Sequence, residues 1–157
     1  MSTSEFELVN LLRERGLTLT LAESCTGGMV AMRVTSVPGA SDVFLGGVVS
    51  YANAVKRDVL GVPQAILDDH GAVSAPCASA MAEGVRTRLG ADIGISVTGI
   101  AGPGGGTPQK PVGLVFIGIS TPAGTRTEQH IFTGDRQSIR DQAATAALHS
   151  ATRTIVF

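Results

Sequence analysis

The chain has 157 residues, 43% of them hydrophobic and 16% charged, with twenty glycines and no tryptophan, so it has the size of one domain with an aliphatic, alanine-rich core. Twelve basic residues against thirteen acidic ones leave a formal charge of -1, which gives no diffuse attraction for nucleic acid or an anionic membrane and excludes both as expected partners. Two cysteines, Cys25 and Cys77, the polar start without a signal-type apolar run, and the lack of any stretch near the ~18 apolar residues of a membrane span point to reduced thiols and a cytoplasmic location.

The elements follow in chain order. Ser4 and Glu7 have capping-box spacing, and Phe6, Val9 and Leu12 predict an amphipathic helix stopped at Gly16. From Leu17 to Leu21 leucine alternates with threonine, the rhythm of a strand with one buried face. The polar turn Glu23 to Gly28 leads into a helix that ends near Ser36, before Pro38 and Gly39. Val43 to Tyr51 reads as a strand in which Gly46 and Gly47 suggest a bulge. Asn53 caps a short helix over 54–60 that carries Lys56, Arg57 and Asp58.

Ser74 caps a longer helix with the stripe Ala78, Met81, Ala82, Val85 and Leu89 before Gly90. Ile93, Ile95 and Val97 alternate as a strand, and Thr98 to Pro111 is a loop with five glycines and three prolines in fourteen residues. Strands over 112–120 and 125–132, joined by Pro122-Ala123-Gly124, form an antiparallel hairpin. Asp135 caps the last helix. The order predicts a single α/β domain over 1–157, with a mixed, mainly parallel sheet flanked by helices on both faces.

Three polar turns sit where such sheets bind ligands: 23–28, 49–56 and 98–110. The amides of Thr26, Gly27 and Gly28 open a helix, a favourable place for a phosphate or a developing oxyanion; glycines that merely allow tight packing explain the same turn. The glycine run 102–106 fits neither nucleotide fingerprint. A P-loop needs a glycine before its lysine and a hydroxyl after it, whereas Lys110 lies between Gln109 and Pro111, and the dinucleotide motif needs a glycine where Thr107 stands. His70, His130 and His149 are isolated, with no metal-ligand spacing.

A serine nucleophile therefore needs another base. A neutral lysine serves if burial or a nearby cation lowers its pKa, and Lys56, preceded by Tyr51, is the candidate. Moving a lysine from ~10.4 towards 7 takes roughly 4 to 5 kcal/mol, which only a partly desolvated pocket supplies. The alternative is a lysine on a solvated helix face beside Arg57.

The motifs Leu-Ala-Glu-Ser-Cys-Thr-Gly-Gly at 21–28, Ser-Tyr-Ala-Asn-Ala-Val-Lys at 50–56, His-Gly-Ala-Val-Ser at 70–74, Val-Thr-Gly-Ile-Ala-Gly-Pro-Gly-Gly-Gly at 97–106, Lys-Pro-Val-Gly-Leu-Val at 110–115 and Gly-Asp-Arg at 134–136 resemble the CinA C-terminal family. The resemblance covers nearly the whole chain. It implies a CinA C-terminal-like fold and hydrolysis of the carboxamide of a small-molecule pyridine nucleotide, nicotinamide mononucleotide, to nicotinic acid mononucleotide and ammonia. No metal and no organic cofactor is implied.

By the same resemblance Ser24 is the nucleophile and Lys56 the proton acceptor, with Ser41, Tyr51 and Thr98 as polar partners. Thr26, Gly27 and Gly28 face the oxyanion. Gly99, Gly102 and either Arg136 or Arg140 hold the substrate. A homo-oligomer is expected. The nucleotide-pyrophosphatase activity associated with the N-terminal domain of longer family members is not expected of this chain. Two other readings stand beside this one: a cysteine amidase using Cys25 with His70 or His130, and a non-catalytic nucleotide-binding or partner-binding module.

Overall fold

The structure is a computed structural model and describes residues 3–156. Helix α1 (Ser4–Arg15) leads to β1 (Leu19–Glu23), α2 (Met29–Thr35), β2 (Phe44–Val49), α3 (Asn53–Asp58), α4 (Gln64–His70), α5 (Ala75–Leu89), β3 (Ile93–Gly99), the hairpin β4 (Leu114–Thr121) and β5 (Gly124–Ile131), and α6 (Arg136–Val156). The sheet order is β2-β1-β3-β4-β5. β1 runs parallel to β2 and β3, and β4 is antiparallel to β3 and β5. Four of the five strands thus point the same way, and the expected mixed sheet with helices on both faces is observed.

The strands are more enclosed than their alternating sequences suggested. Leu19, Leu21, Ile93, Ile95 and Val97 face the larger core, which α1, α2 and α6 complete. Thr20, Ser96 and Thr98 point to the opposite face, and α5 covers that side rather than solvent. Their hydroxyls are satisfied by carbonyls, Thr20 by Gly46 at 2.7 Å, Ser96 by Ala78 at 2.6 Å and Thr98 by Ala72 at 2.9 Å. The close approach depends on missing side chains. A Cβ on Gly94 would lie 2.5 Å from the Ala82 carbonyl, and one on Gly118 would lie 2.6 Å from that of Ala78.

Several local expectations shift. In α1 the expected Ser4 cap does not form: Thr3 is the N-cap residue but makes no side-chain cap bond, its Oγ1 donating to Glu7 Oε1 at 3.2 Å, while Ser4 lies inside the helix with its hydroxyl 3.1 Å from His149 Nε2. The buried face is Ser4, Glu5, Leu8, Val9 and Leu12, leaving Phe6 42% exposed. Asn53 is the first residue of α3 and does not cap it. Helix α4, absent from the sequence reading, packs Leu67 into the smaller core with Met81 and Val85 of α5. The Ser74 and Asp135 caps form, through Cys77 N at 3.3 Å and Ser138 N at 2.8 Å. The register of β2 slips between Phe44 and Gly46, the expected bulge.

Chain path positions the site. From β1 the chain crosses to β2 through α2 on one face, then returns past β1 to β3 through α5 on the other face. The connections that leave β1 and β2 therefore go to opposite faces and leave a crevice at the carboxyl ends of the parallel strands, the usual ligand position in open α/β sheets. Among the described residues no helix is long and apolar enough to cross a membrane.

Candidate active site

A cavity of about 230 Å³ occupies that crevice, walled by Ser24, Cys25, Tyr51, Lys56, Thr98 and Arg136, with Gly99 and Asn53 beside them. A larger concavity of about 650 Å³ lies beside Arg13 and Asp42, around the start of the strands, and holds no serine or cysteine in its wall.

Lys56 is the largest of the fully buried side chains, 1% exposed, although α3 is a short surface helix. Its Nζ reaches Ser24 Oγ at 3.0 Å, the Ser50 carbonyl at 2.7 Å and the Tyr51 carbonyl at 3.1 Å. None of these partners is a carboxylate, and burial pushes the Lys56 pKa below its ordinary value. The three contacts match the three donors of an ammonium, and a neutral amine would keep the two carbonyls and leave its lone pair for the Ser24 hydroxyl. Ser50 ties the ends of β1 and β2 together, its amide donating to the Glu23 carbonyl at 2.7 Å.

Glu23 shapes the Ser24 turn. Helix α2 begins after Gly27 and Gly28, both at positive φ, and has no side-chain cap of its own. The buried Glu23 carboxylate supplies one, accepting from Thr26 Oγ1 at 2.6 Å and from the amides of Gly28 at 3.3 Å, Val30 at 2.9 Å and Ala31 at 3.0 Å. The Gly27 amide donates to the Ser24 carbonyl at 3.1 Å.

The expectation that Thr26, Gly27 and Gly28 hold an oxyanion is corrected accordingly. The two glycine amides are engaged, Thr26 is fully buried, and none of the three walls the cavity.

Ser41 is a second correction. It is exposed in the 3-10 turn Ala40–Asp42 that precedes β2, whereas Ser50 and Tyr51 follow that strand, so the length of β2 separates Ser41 from the cavity. The two arginines differ in their partners. Arg136 walls the cavity, donating to the Tyr51 hydroxyl at 3.2 Å and to the Gly102 carbonyl at 2.6 Å. Arg140 stands behind the turn, donating to the carbonyls of Cys25 at 3.0 Å and Thr26 at 3.1 Å.

Gly102 therefore contributes by holding Arg136 rather than by lining the cavity. Thr98 is in the wall, its hydroxyl turned to Ala72. Tyr51 is 61% exposed at the mouth, and its carbonyl, not its hydroxyl, contacts Lys56.

The cysteine reading fares poorly here. The Cys25 thiol belongs to the larger core, and burial pushes its pKa up to about 11. No histidine walls the cavity. His130 stacks on Phe132 with ring centroids 5.1 Å apart, and His149 meets Ser4.

The family model for the CinA C-terminal domain matches residues 1–155. A CinA-like protein of Syntrophotalea carbinolica is 51% identical over 141 residues, covering 90% of this chain and 34% of the relative. One from Anaeromyxobacter dehalogenans is 55% identical over 142 residues, covering 90% and 35%. The chain thus spans about a third of the length of these relatives. Among solved structures, a competence-damaged protein (CinA) superfamily protein from Klebsiella pneumoniae superposes with a TM-score of 0.95 at 34% identity, covering 99% of both chains. A competence/damage inducible protein from Agrobacterium tumefaciens gives 0.92 at 36% identity, covering 100% of this chain and 98% of that one.

Proposed function

We propose that this chain, which belongs to the CinA C-terminal domain family, hydrolyses the carboxamide of nicotinamide mononucleotide to the carboxylate and ammonia, with Ser24 as nucleophile and Lys56 as base. The observation that carries the reading is the 3.0 Å contact between Ser24 Oγ and a buried lysine whose other partners are both carbonyls. A lysine that is neutral in the fold is a competent base for a hydroxyl within hydrogen-bond reach.

Lys56 takes the Ser24 proton as Oγ adds to the amide carbon. The tetrahedral intermediate collapses when Lys56 returns that proton to the departing nitrogen, which leaves as ammonia. The resulting Ser24 ester is then hydrolysed by water that loses its proton to Lys56, and the cycle closes with a free hydroxyl and the acid product. A cavity of about 230 Å³ is below the ~300 Å³ of a typical small-molecule site. It suits the pyridine carboxamide, with ribose and phosphate lying across the mouth between Tyr51 and Arg136. Arg136 is the cation positioned for the phosphate, and its planar fork favours two-point contact.

Ammonia release from nicotinamide mononucleotide by the purified protein, beside Ser24→Ala, tests the assignment. Turnover that survives unchanged in Ser24→Ala removes it.

A further inference from the structure

The 3.0 Å contact between Ser24 Oγ and Lys56 Nζ joins side chains that follow two different strands, and the supports of both lead back to Glu23, the last residue of β1. Its side chain holds the nucleophile's turn. Oε1 accepts from the Thr26 hydroxyl and from the Gly28 and Val30 amides, and Oε2 accepts from the Ala31 amide. Its main chain holds the lysine's support. The Glu23 carbonyl accepts from the Ser50 amide at 2.7 Å and from the Ser50 hydroxyl at 3.3 Å, and the Ser50 carbonyl accepts from Lys56 Nζ at 2.7 Å.

These contacts close into a ring that begins and ends on one residue: the Glu23 carboxylate, the 24–28 turn, Ser24 Oγ, Lys56 Nζ, Ser50 and the Glu23 carbonyl. Ser24 is held on its β3 side, where its amide donates to the Val97 carbonyl at 2.9 Å. The loose stretch of the ring is the far side of the turn, where Gly27 and Gly28, at φ 59° and 107°, bring the conformational freedom of glycine. That is where the carboxylate binds.

Capping alone does not call for this arrangement. Helix N-termini are ordinarily capped by a short polar side chain in the adjoining turn, and Thr26 is present there, yet its hydroxyl donates to Glu23 instead. Glu23 is buried and, among the described residues, forms no ion pair. A buried carboxylate held only by neutral donors is an unfavourable way to cap a helix of seven residues.

We propose that Glu23 is the positioning residue of the Ser24–Lys56 pair: its carboxylate pins the turn so that Ser24 Oγ stays within reach of Lys56. Glu23 is not part of the cavity wall, so it acts through the turn and touches no substrate. The inference rests on the Ser24–Lys56 reading above and adds the residue that sets their separation.

Two readouts test it. Steady-state ammonia release from nicotinamide mononucleotide gives kcat and KM. Labelling by a small alkyl fluorophosphonate reports on Ser24 without the amide: Oγ forms the P–O bond, fluoride leaves, the hydroxyl proton passes to Lys56, and mass spectrometry locates the adduct. Asp92→Asn is the control, a carboxylate-to-amide change at the opposite end of β1 and β3, where Asp92 accepts from the Thr18 amide at 2.8 Å and from the Thr18 hydroxyl at 3.0 Å.

Glu23→Ala removes all four side-chain bonds and is expected to lower kcat and the labelling rate by about 100-fold each, the loss that follows a ~1 Å misplacement of a reacting group, with KM within about threefold. Glu23→Gln keeps one acceptor oxygen and is expected to lose about tenfold on the same scale; it decides the question if the alanine variant does not fold. Asp92→Asn should lose stability in denaturant and keep both rates.

A folded Glu23 variant with wild-type kcat and labelling rate overturns the positioning role, as does a rise in KM with kcat unchanged, or an equal loss of kcat in Asp92→Asn. A wild-type protein whose Ser24 takes no label, or whose turnover survives in Ser24→Ala, overturns the serine reading itself, and the proposal with it.

Discussion

Replacing Lys56 with methionine separates what the buried amine does for stability from what it does for chemistry. The side chain is 1% exposed and bonded to Ser24 Oγ and to the Ser50 and Tyr51 carbonyls. Methionine fills a similar volume without the polar head. Two carbonyls lose a donor, at about 1 kcal/mol each, while the cost of taking a charged or polar amine out of water disappears, an opposing term of several kcal/mol when the group is ionised.

The two contributions separate by pH. The folded pKa of Lys56 lies below its ordinary value of 10.5, so between those two values the unfolded chain binds a proton that the fold does not. Wild-type stability therefore rises with pH across that window, by at most about 1.4 kcal/mol per pH unit for one proton. Below the folded pKa the lysine is protonated in both states and the full penalty remains.

Denaturant unfolding of both proteins from pH 6 to 9, below the ordinary thiol pKa of 9.0, should show the wild type gaining on Lys56→Met as pH rises. Turnover of the variant should fall by a factor on the order of 10³ within the usual range for a lost general base. A stability difference flat over the whole range would put the protonation change of Lys56 above it and refute the neutral-base argument.

Other substitutions test the remaining parts. Cys25→Ala should keep wild-type turnover, and iodoacetamide should modify Cys25 slowly at pH 7.5, since a thiol pushed up to about 11 is almost entirely protonated there; mass spectrometry and ammonia assays check both. Glu23→Gln replaces one acceptor oxygen of a cap that serves three amides and a hydroxyl, and should cost about 2 to 3 kcal/mol in chemical denaturation. Gly118→Ala forces a methyl against the Ala78 carbonyl and should destabilise by about 1 to 3 kcal/mol; a calorimetric Tm equal to wild type would contradict the close packing of α5. Arg136→Met should raise KM for the nucleotide far more than for nicotinamide riboside, which lacks the phosphate, and steady-state kinetics on both compounds decides it.

Apart from α4, the strand and helix order was legible because hydrophobic period and turn residues changed together at the boundaries, as at Gly16 and at the Pro122–Ala123 turn. Burial was less legible. Lys56 beside Arg57 has the composition of a solvated face, and what receives its amine is Ser24, distant in sequence, together with the carbonyls of the segment between β2 and α3. Ser24 and Lys56 were found through their motifs, which carry chemistry but not orientation, so Thr26 to Gly28 were read as open donors when Glu23 upstream already held the Thr26 hydroxyl and the Gly28 amide, and the Ser24 carbonyl held the Gly27 amide. A signal for Glu23 was present: α2 starts at glycines with no side chain able to cap it, and the nearest acidic residue lies at the end of the preceding strand. Ser41 was misplaced because proximity within a motif set says nothing about which end of a strand a residue occupies.

The two halves of the dyad hang from unequal supports. Ser24 follows β1, the strand bracketed by β2 and β3, whereas Lys56, Ser50 and Tyr51 follow β2, which has a neighbour on one side only. Native-state opening starts at such margins, at free energies well below that of global unfolding. Release of the β2–α3 segment withdraws the base and leaves the nucleophile seated on an intact turn. Heat or dilute denaturant should consequently abolish the proposed turnover while the spectroscopic signature is still that of a folded protein, and amide exchange at Val48 and Val49 should report the event that Ile95 does not feel.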